Sequence, residues 1–146
     1  MIRHLVDVNV LLALLWPRHE SHHAAQAWFA GPGHRAWATN PLTQLGVLRL
    51  LTNPAVTQGA VSAITALNVL NEAVSHKGHE FWPLDKEFQA KFKSLSGRIT
   101  GHQQWMDALL LWHATQHDGV LVTFDAPLKA LAGAEFSNHI LVLKSR

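Results

Sequence analysis

Apolar residues along this chain fall into short blocks of two kinds. Brief continuous runs, such as Leu5-Val6 and Val120-Leu121-Val122-Thr123, are bounded by polar or glycine positions and read as strands buried on both faces. Longer stretches repeat their apolar positions at helical spacing. The pattern predicts a strand over 3–6, a helix over 9–15 stopped by Pro17, and a helix over 19–30 with Ala24, Ala27 and Trp28 on one face. Gly31-Pro32-Gly33 ends that helix, and a strand over 35–38 follows. Asn40-Pro41 resembles a cap followed by proline at the first helical position. It opens a helix through Leu42, Leu45, Leu48 and Leu51 that lasts until Asn53-Pro54.

Residues 62–74, with Ile64, Leu67, Val69 and Leu70, predict a fourth helix before a turn at Gly78. A brief strand over 79–82 precedes a polar helix over 86–95. Thr100-Gly101-His102-Gln103 fits a capping box, with Thr100 as cap and Gln103 three residues on, and starts a helix reaching about His117. A strand over 120–123, a short helix after Pro127 and a strand over 139–142 complete the chain. Short strands alternating with helices predict a single α/β domain over 1–146. Its three layers place helices on both faces of a central parallel sheet of about five short strands.

Length and composition agree with one globular domain able to bury a sizeable core: 146 residues, 48% apolar and 15% charged. No cysteine is present, which excludes disulfides, thiolate metal sites and a cysteine nucleophile, and fits a cytoplasmic location. Arg3 before an apolar stretch imitates a signal peptide, but Asp7 and Asn9 interrupt it. The unbroken run over 10–16 is far below a membrane span, so the expectation is a core strand and helix start, with no membrane association. The net charge is only +2, yet eleven histidines add positive charge as pH falls. An anionic partner is therefore permitted rather than required. Lys86, Lys91, Lys93 and Arg98 form a loose basic stretch, read first as a solvated helix face and second as a phosphate contact.

Three acids stand out by position. Asp7 ends the first apolar strand, Asp107 sits at the start of the apolar helix Trp105-Met106-Asp107-Ala108-Leu109-Leu110-Leu111-Trp112, and Asp125 follows the strand ending in Phe124. Each has a modest explanation as a cap or turn residue. An unpaired carboxylate beside apolar residues is costly to desolvate, however, and ligands of parallel α/β sheets bind outside the carboxyl ends of strands. Asp7 and Asp125 are therefore expected to meet in one cleft, with a cation compensating their charge.

These residues resemble the PIN-domain family, specifically VapC toxins of bacterial toxin–antitoxin pairs. The likeness spans nearly the whole chain: Asp7-Val8-Asn9 after the opening strand, the helix Pro41-Leu42-Thr43-Gln44-Leu45-Gly46-Val47-Leu48-Arg49, Asp107-Ala108 on a late helix, and Thr123-Phe124-Asp125. The resemblance implies a PIN-like fold and an endoribonuclease dependent on Mg2+ or Mn2+, which cuts RNA by metal-activated water and is neutralised by a cognate VapB-like antitoxin. It also implies products ending in 5′-phosphate and 3′-hydroxyl. The chemistry is consistent with this: magnesium and manganese favour hard oxygen ligands and keep several waters, so a carboxylate cluster is the protein's expected share of the site. Asp7, Asp107 and Asp125 are the expected ligands. Asn9 and Thr123 are expected to support them or orient water, with plain turn and strand hydrogen bonding as the alternative.

The family pattern has a glutamate where this chain has Gln44. An amide keeps an acceptor oxygen but loses the charge, and its NH2 ligates no hard cation. Ligand charge falls from about −4 to about −3 against the +4 of two divalent ions, so weaker metal binding and slower cleavage than in Gln44→Glu are expected. Gln44 thus belongs to the catalytic set with an attenuating effect, and an impaired PIN fold acting only as a binding module is the competing reading. Arg49, five residues further on, is expected either to grip phosphate in the same cleft or to pair with a site aspartate. His102 is expected to approach RNA, with Gln103 serving mainly as cap.

Other motifs compete. His19-Glu20-Ser21-His22-His23 satisfies H-E-x-x-H, which on a helix would hold zinc with Glu20 as general base and make the chain a zinc hydrolase. His113 and His117 share i, i+4 spacing, for which interaction with the helix C-terminal dipole is preferred to metal binding. Six tryptophans are read as core rather than as base-stacking platforms, unless exposed beside the acids. The second and fourth helices carry more apolar residues than a small core needs and are expected to supply a homodimer face and an antitoxin groove.

Overall fold

In a computed structural model describing residues 1–59 and 61–145, five strands form one parallel sheet. They are β1 (His4–Val6), β2 (Trp37–Thr39), β3 (His79–Phe81), β4 (Val120–Thr123) and β5 (Ile140–Val142), in the spatial order β3-β2-β1-β4-β5. Every neighbouring pair is parallel, with Leu5 opposite Ala38 and Leu121, and Val122 opposite Leu141. All strand carboxyl ends therefore share one edge. Because β1 lies between β2 and β4, the chain reverses its winding at β1, and the β1/β4 boundary is the crevice where ligands of such sheets bind.

Alternation along the strands divides the core in two. Leu5, Ala38 and Leu121 face one layer, whose centre is α8 (Trp105–Gln116) with Leu110, Leu111 and Trp112, supplemented by Trp82 and Leu95. Val6, Trp37 and Val122 face the other layer, built from α1 (Val8–Leu15), α2 (His22–Ala30), α3 (Pro41–Leu51) and α5 (Ala63–Val74). The result is the expected three-layer α/β/α arrangement. Leu5, Val6, Leu121 and Val122 are all completely buried, which explains why these strands read as continuous apolar runs.

Several boundaries differ from the sequence expectation. Arg35 belongs to a 3-10 turn at Gly33–Arg35, so β2 begins only at Trp37. The stretch after Asn53-Pro54 forms another short helix, α4 (Pro54–Thr57), capped by the Asn53 side chain. The polar helix over 86–95 is two single turns, α6 (Phe88–Lys91) and α7 (Lys93–Ser96). A final short helix, α9 (Leu128–Ala132), follows Pro127 as expected.

The cap before α8 is displaced by one residue. Gln104, not Gln103, turns back, and its Oε1 accepts from the amides of Thr100 and Gly101 at 2.7 and 3.3 Å. A 3-10 turn at His102–Gln104 precedes α8, and this extra turn moves the reciprocal contact along the chain.

One close packing contact bears on the site. A Cβ at Gly46 would lie 2.6 Å from Val8 Cγ2, so glycine lets α3 rest directly on the start of α1. Gln44 is thereby brought to the same end of the sheet as Asp7.

Candidate functional site

The site begins with the junction of β1 and α1. Asp7 leaves β1 in extended conformation and caps α1, its Oδ1 accepting the Val8 amide at 2.7 Å. Its Oδ2 accepts a 2.7 Å hydrogen bond from the Thr123 hydroxyl at the end of β4. That same hydroxyl oxygen accepts from the Asp125 amide at 3.0 Å and from Asn9 Nδ2 at 3.5 Å. Asn9 Oδ1 in turn accepts the Phe124 amide at 3.4 Å. Thr123 is thus the joint that ties both sides of the β1/β4 crevice and the loop carrying Asp125.

Asp7 is buried, at 7% exposure. Burial pushes its carboxyl above the usual range, the Thr123 and Val8 hydrogen bonds oppose this, and the Asp125 charge adds to the rise. Asp107, in the first turn of α8, is raised to about 6, first by desolvation and then by the charges of Asp7 and Asp125. Asp107 and Asp125 line one small cleft of about 200 Å³ with Gln103, Gln104 and Pro127. The three expected acids therefore occupy one electrostatic neighbourhood: Asp7 and Asp125 both raise the cost of ionising Asp107, and Asp125 does the same to Asp7.

Among the described residues, no group of three or more His, Cys, Asp or Glu side chains is gathered closely enough to hold a metal ion. Asp7, Asp107 and Asp125 are therefore near enough for Asp7 and Asp125 to act on the ionisation of Asp107, but they are not assembled as a preformed three-ligand site. Hydrated magnesium or manganese needs less from the protein, namely one or two carboxylates with waters completing the shell. Mutually repelling, partly desolvated carboxylates fit such an open site, because a divalent cation relieves both the repulsion and the burial cost.

Gln44 is half-buried on α3 and uses its Nε2 to donate to Thr39 Oγ1 at 2.9 Å. Arg49 is exposed on the same helix and has no ion pair with a site aspartate. At 3.6 residues per turn, five residues separate it from Gln44 by roughly 140°, so the helix sends the two side chains in different directions. His102 is exposed and shares a surface recess with Gln103, Leu42, Phe88, Trp105 and Met106. Trp105, two residues before Asp107, is 54% exposed, whereas Trp28, Trp37, Trp82 and Trp112 are buried. The core reading therefore holds for those four and fails for Trp105.

The rival motifs lose their geometry. His19 and Glu20 precede α2, which starts at His22 behind Ser21. His19 Nδ1 accepts the Ser21 amide at 3.0 Å, and His22 Nδ1 lies 2.6 Å from the Ala13 carbonyl. His19 and His23 are thus not one turn apart on a helix, and the zinc-hydrolase reading falls.

His113 is buried, its ring packed on Trp112 and its pKa lowered to about 4, chiefly by desolvation and then by His117. It is a neutral acceptor, with Asn40 Nδ2 donating to its Nδ1 at 3.0 Å, so the expected charge–dipole role is corrected. His117 stacks on Trp82 at 3.8 Å. In the basic stretch, Lys91 pairs with Asp85 and Arg98 with Glu135, both at 2.6 Å. Half of that stretch is therefore committed to local ion pairs on the surface.

Comparisons with known proteins agree with this architecture. Residues 4–134 match the PIN domain family. Ribonuclease VapC39 of Mycobacterium tuberculosis is 38% identical over 130 residues, covering 89% of this chain and 94% of that protein. Ribonuclease VapC44 of the same organism is 38% identical over 144 residues, covering 97% of this chain and 100% of that protein. In fold, the chain is similar to the crystal structure of VapBC2 from Rickettsia felis bound to a DNA fragment from their promoter. That likeness has a TM-score of 0.61 and 13% identity, and covers 88% of this chain and 92% of the other. A PIN-family match over most of the sequence, whole-length VapC relatives and the five-stranded parallel sheet lead to one conclusion: this chain belongs to the PIN domain family, in its VapC group.

Proposed function

We propose that this chain is a divalent-metal-dependent endoribonuclease toxin of VapC type, silenced by a cognate antitoxin. The observation that carries the reading is the pair Asp107 and Asp125 lining one cleft at the carboxyl edge of the sheet, close enough to Asp7 that Asp125 opposes the ionisation of both desolvated carboxylates, Asp7 and Asp107. Relatives named as ribonucleases that cover 89% and 97% of the chain support it.

In this reading Asp7, Asp107 and Asp125 hold Mg2+ or Mn2+ and keep it at the β1/β4 crevice. A bound ion of this kind activates water and offsets the charge growing on a scissile phosphate. Thr123 fixes the rotamer of Asp7 through its 2.7 Å hydrogen bond, and Asn9 braces Thr123 and the Phe124 amide. Gln44 contributes an uncharged oxygen where the family pattern has a carboxylate, so the metal is held less tightly than in Gln44→Glu. Trp105 and His102 line an exposed recess that adjoins the Asp107–Asp125 cleft through Gln103, and supply a surface on which an unstacked RNA base can rest. Arg49 serves phosphate further along the strand.

The antitoxin is assigned to the apolar groove of about 410 Å³ lined by Leu11, Leu14, Leu15, Phe29, Val69 and Ala73. A homodimer face is assigned to α5, where Ile64 and Leu67 are 65% and 43% exposed. Solution sizing that finds only monomer removes the second assignment. A cytoplasmic location follows from the substrate. Among the described residues, no helix is long and apolar enough to cross a membrane.

Gln44 favours one rival, a PIN fold that binds antitoxin or RNA without cutting. RNA cleavage in manganese, parent against Asp7→Asn, separates the two. The ribonuclease reading expects metal-dependent cleavage in the parent and none in Asp7→Asn. Cleavage that persists in the variant points to another site, and an inert parent favours the binding module.

A further inference from the structure

Gln44 sits at one end of a hydrogen-bond chain that runs away from the acids. Its Nε2 donates to Thr39 Oγ1 at 2.9 Å, and Thr39 Oγ1 lies 2.8 Å from His79 Nε2. Thr39 is fully buried at the carboxyl end of β2, and His79 opens the neighbouring strand β3 in register with Trp37. The direction of each bond follows from proton counting. The Val74 backbone favours the protonated form of the His79 ring, as a carbonyl acceptor does, so the ring nitrogen turned toward it carries a proton. With Nε2 in contact with Thr39, the protonated nitrogen is Nδ1.

Burial lowers the pKa of His79 and keeps the ring neutral, so Nε2 is a bare acceptor. The single Thr39 proton is then committed to His79, and Thr39 Oγ1 accepts from Gln44. Were the amide reversed, two oxygens would face each other with no proton between them, leaving a buried acceptor unpaired.

We propose that His79, acting through Thr39, fixes which way round the Gln44 amide sits, so that its carbonyl oxygen rather than its NH2 is offered to the acidic cleft. The location supports this: Thr39 ends the strand beside β1, and Gly46 seats α3 on Val8, next to Asp7. No protein group hydrogen-bonds Gln44 Oε1 among the described residues, leaving it free for the cleft. A carbonyl oxygen is an acceptable ligand for a hard cation or its waters, and an NH2 group is not. His79 is therefore a positioning residue for the Gln44 oxygen. The groups around it hold the ring rather than replace the relay. Trp37 packs at 4.6 Å, Arg3 and Glu80 pair with each other at 2.9 Å, and His76 adds only a minor repulsion. The functional consequence rests on the ribonuclease reading above, whereas the hydrogen-bond directions do not.

The test combines ring 15N NMR of the full chain at neutral pH with manganese-dependent RNA cleavage. The expected spectrum shows His79 protonated on Nδ1 and bare on Nε2. Gln44→Glu should move the proton toward Nε2, because a carboxylate at that position claims the Thr39 hydroxyl. Thr39→Val, nearly isosteric, should lower kcat by roughly ten-fold, the scale of lost support for a metal ligand, with RNA KM little changed. Thr39→Ser should restore most of the loss.

A bare Nδ1 on His79, or a Thr39→Val chain that cleaves as well as the parent, overturns the proposal. If the parent cleaves no RNA, the ribonuclease reading fails by itself. The His79 spectrum and its response to Thr39→Val and Gln44→Glu then still decide the relay.

Discussion

The Thr123 hydroxyl donates to Asp7 Oδ2 at 2.7 Å across 116 residues of sequence, and this bond joins the two strands that flank the cleft. Thr123→Val removes the donor and leaves a buried carboxylate with one fewer partner. The expected loss is about 1–3 kcal/mol of stability and roughly 10–100-fold in metal affinity. Chemical denaturation and manganese titration by calorimetry measure the two effects.

Gln44→Glu restores a negative charge to the metal site. Tighter manganese binding and faster RNA cleavage are expected than in the parent. Equal titration curves and equal rates in the two chains would remove Gln44 from the site.

Cleavage should rise with pH through about 6, because Asp107 ionises near that value in the folded chain and only the ionised form binds metal. The metal-free chain behaves oppositely. With its folded pKa raised from 3.8 to about 6, Asp107 contributes most stability below the unfolded value and loses it as pH rises through that window. His113, lowered from 6.5 to about 4, acts in the reverse sense, losing stability as pH falls. The Asp107 contribution is therefore read as the difference between parent and Asp107→Asn in denaturation at pH 4 to 7, with and without manganese. Manganese should stabilise the parent above pH 6 and leave Asp107→Asn nearly unchanged.

Asn40 joins two layers: its Oδ1 caps α3 through the Thr43 amide at 2.9 Å, and its Nδ2 donates to buried His113. Asn40→Ala removes a cap worth about 1 kcal/mol and strands a buried acceptor costing about 1–3 kcal/mol more. A drop of about 2–4 kcal/mol in urea denaturation is expected.

Trp105 is more than half exposed, in a recess that shares Gln103 with the Asp107–Asp125 cleft. Trp105→Ala should leave stability nearly unchanged while weakening RNA binding by about 1–3 kcal/mol, the scale of one base stacked on an aromatic ring. Fluorescence anisotropy with labelled RNA and the Asp7→Asn chain measures binding without cleavage.

The three acids stood out because each lies at the boundary of an apolar element, Asp7 after β1, Asp125 after β4 and Asp107 in the first turn of α8, and a carboxylate at such a junction needs a reason. The layered sheet was legible because strands buried on both faces read as apolar runs. What joined the acids was less visible. Thr123 and Asn9 are polar residue types with many ordinary uses, and only the β1/β4 register reveals that one hydroxyl serves both Asp7 and Asp125. His79 gave no signal, since its meaning depends on β3 lying beside β2. The helix expected over 19–30 starts late because the turn after Pro17 closes on itself, with the His22 amide bonded to the His19 carbonyl at 3.1 Å. Gln103 and Gln104 are interchangeable as capping residue types, and the 3-10 turn chose between them.

The most direct test of the shared cation is a crystal of this chain soaked in manganese and measured for anomalous scattering. The account predicts a peak at the β1/β4 crevice between Asp7, Asp107 and Asp125, with at least one carboxylate oxygen within about 2.0–2.3 Å. Well-ordered manganese at another site, with those three side chains left unligated, would contradict it.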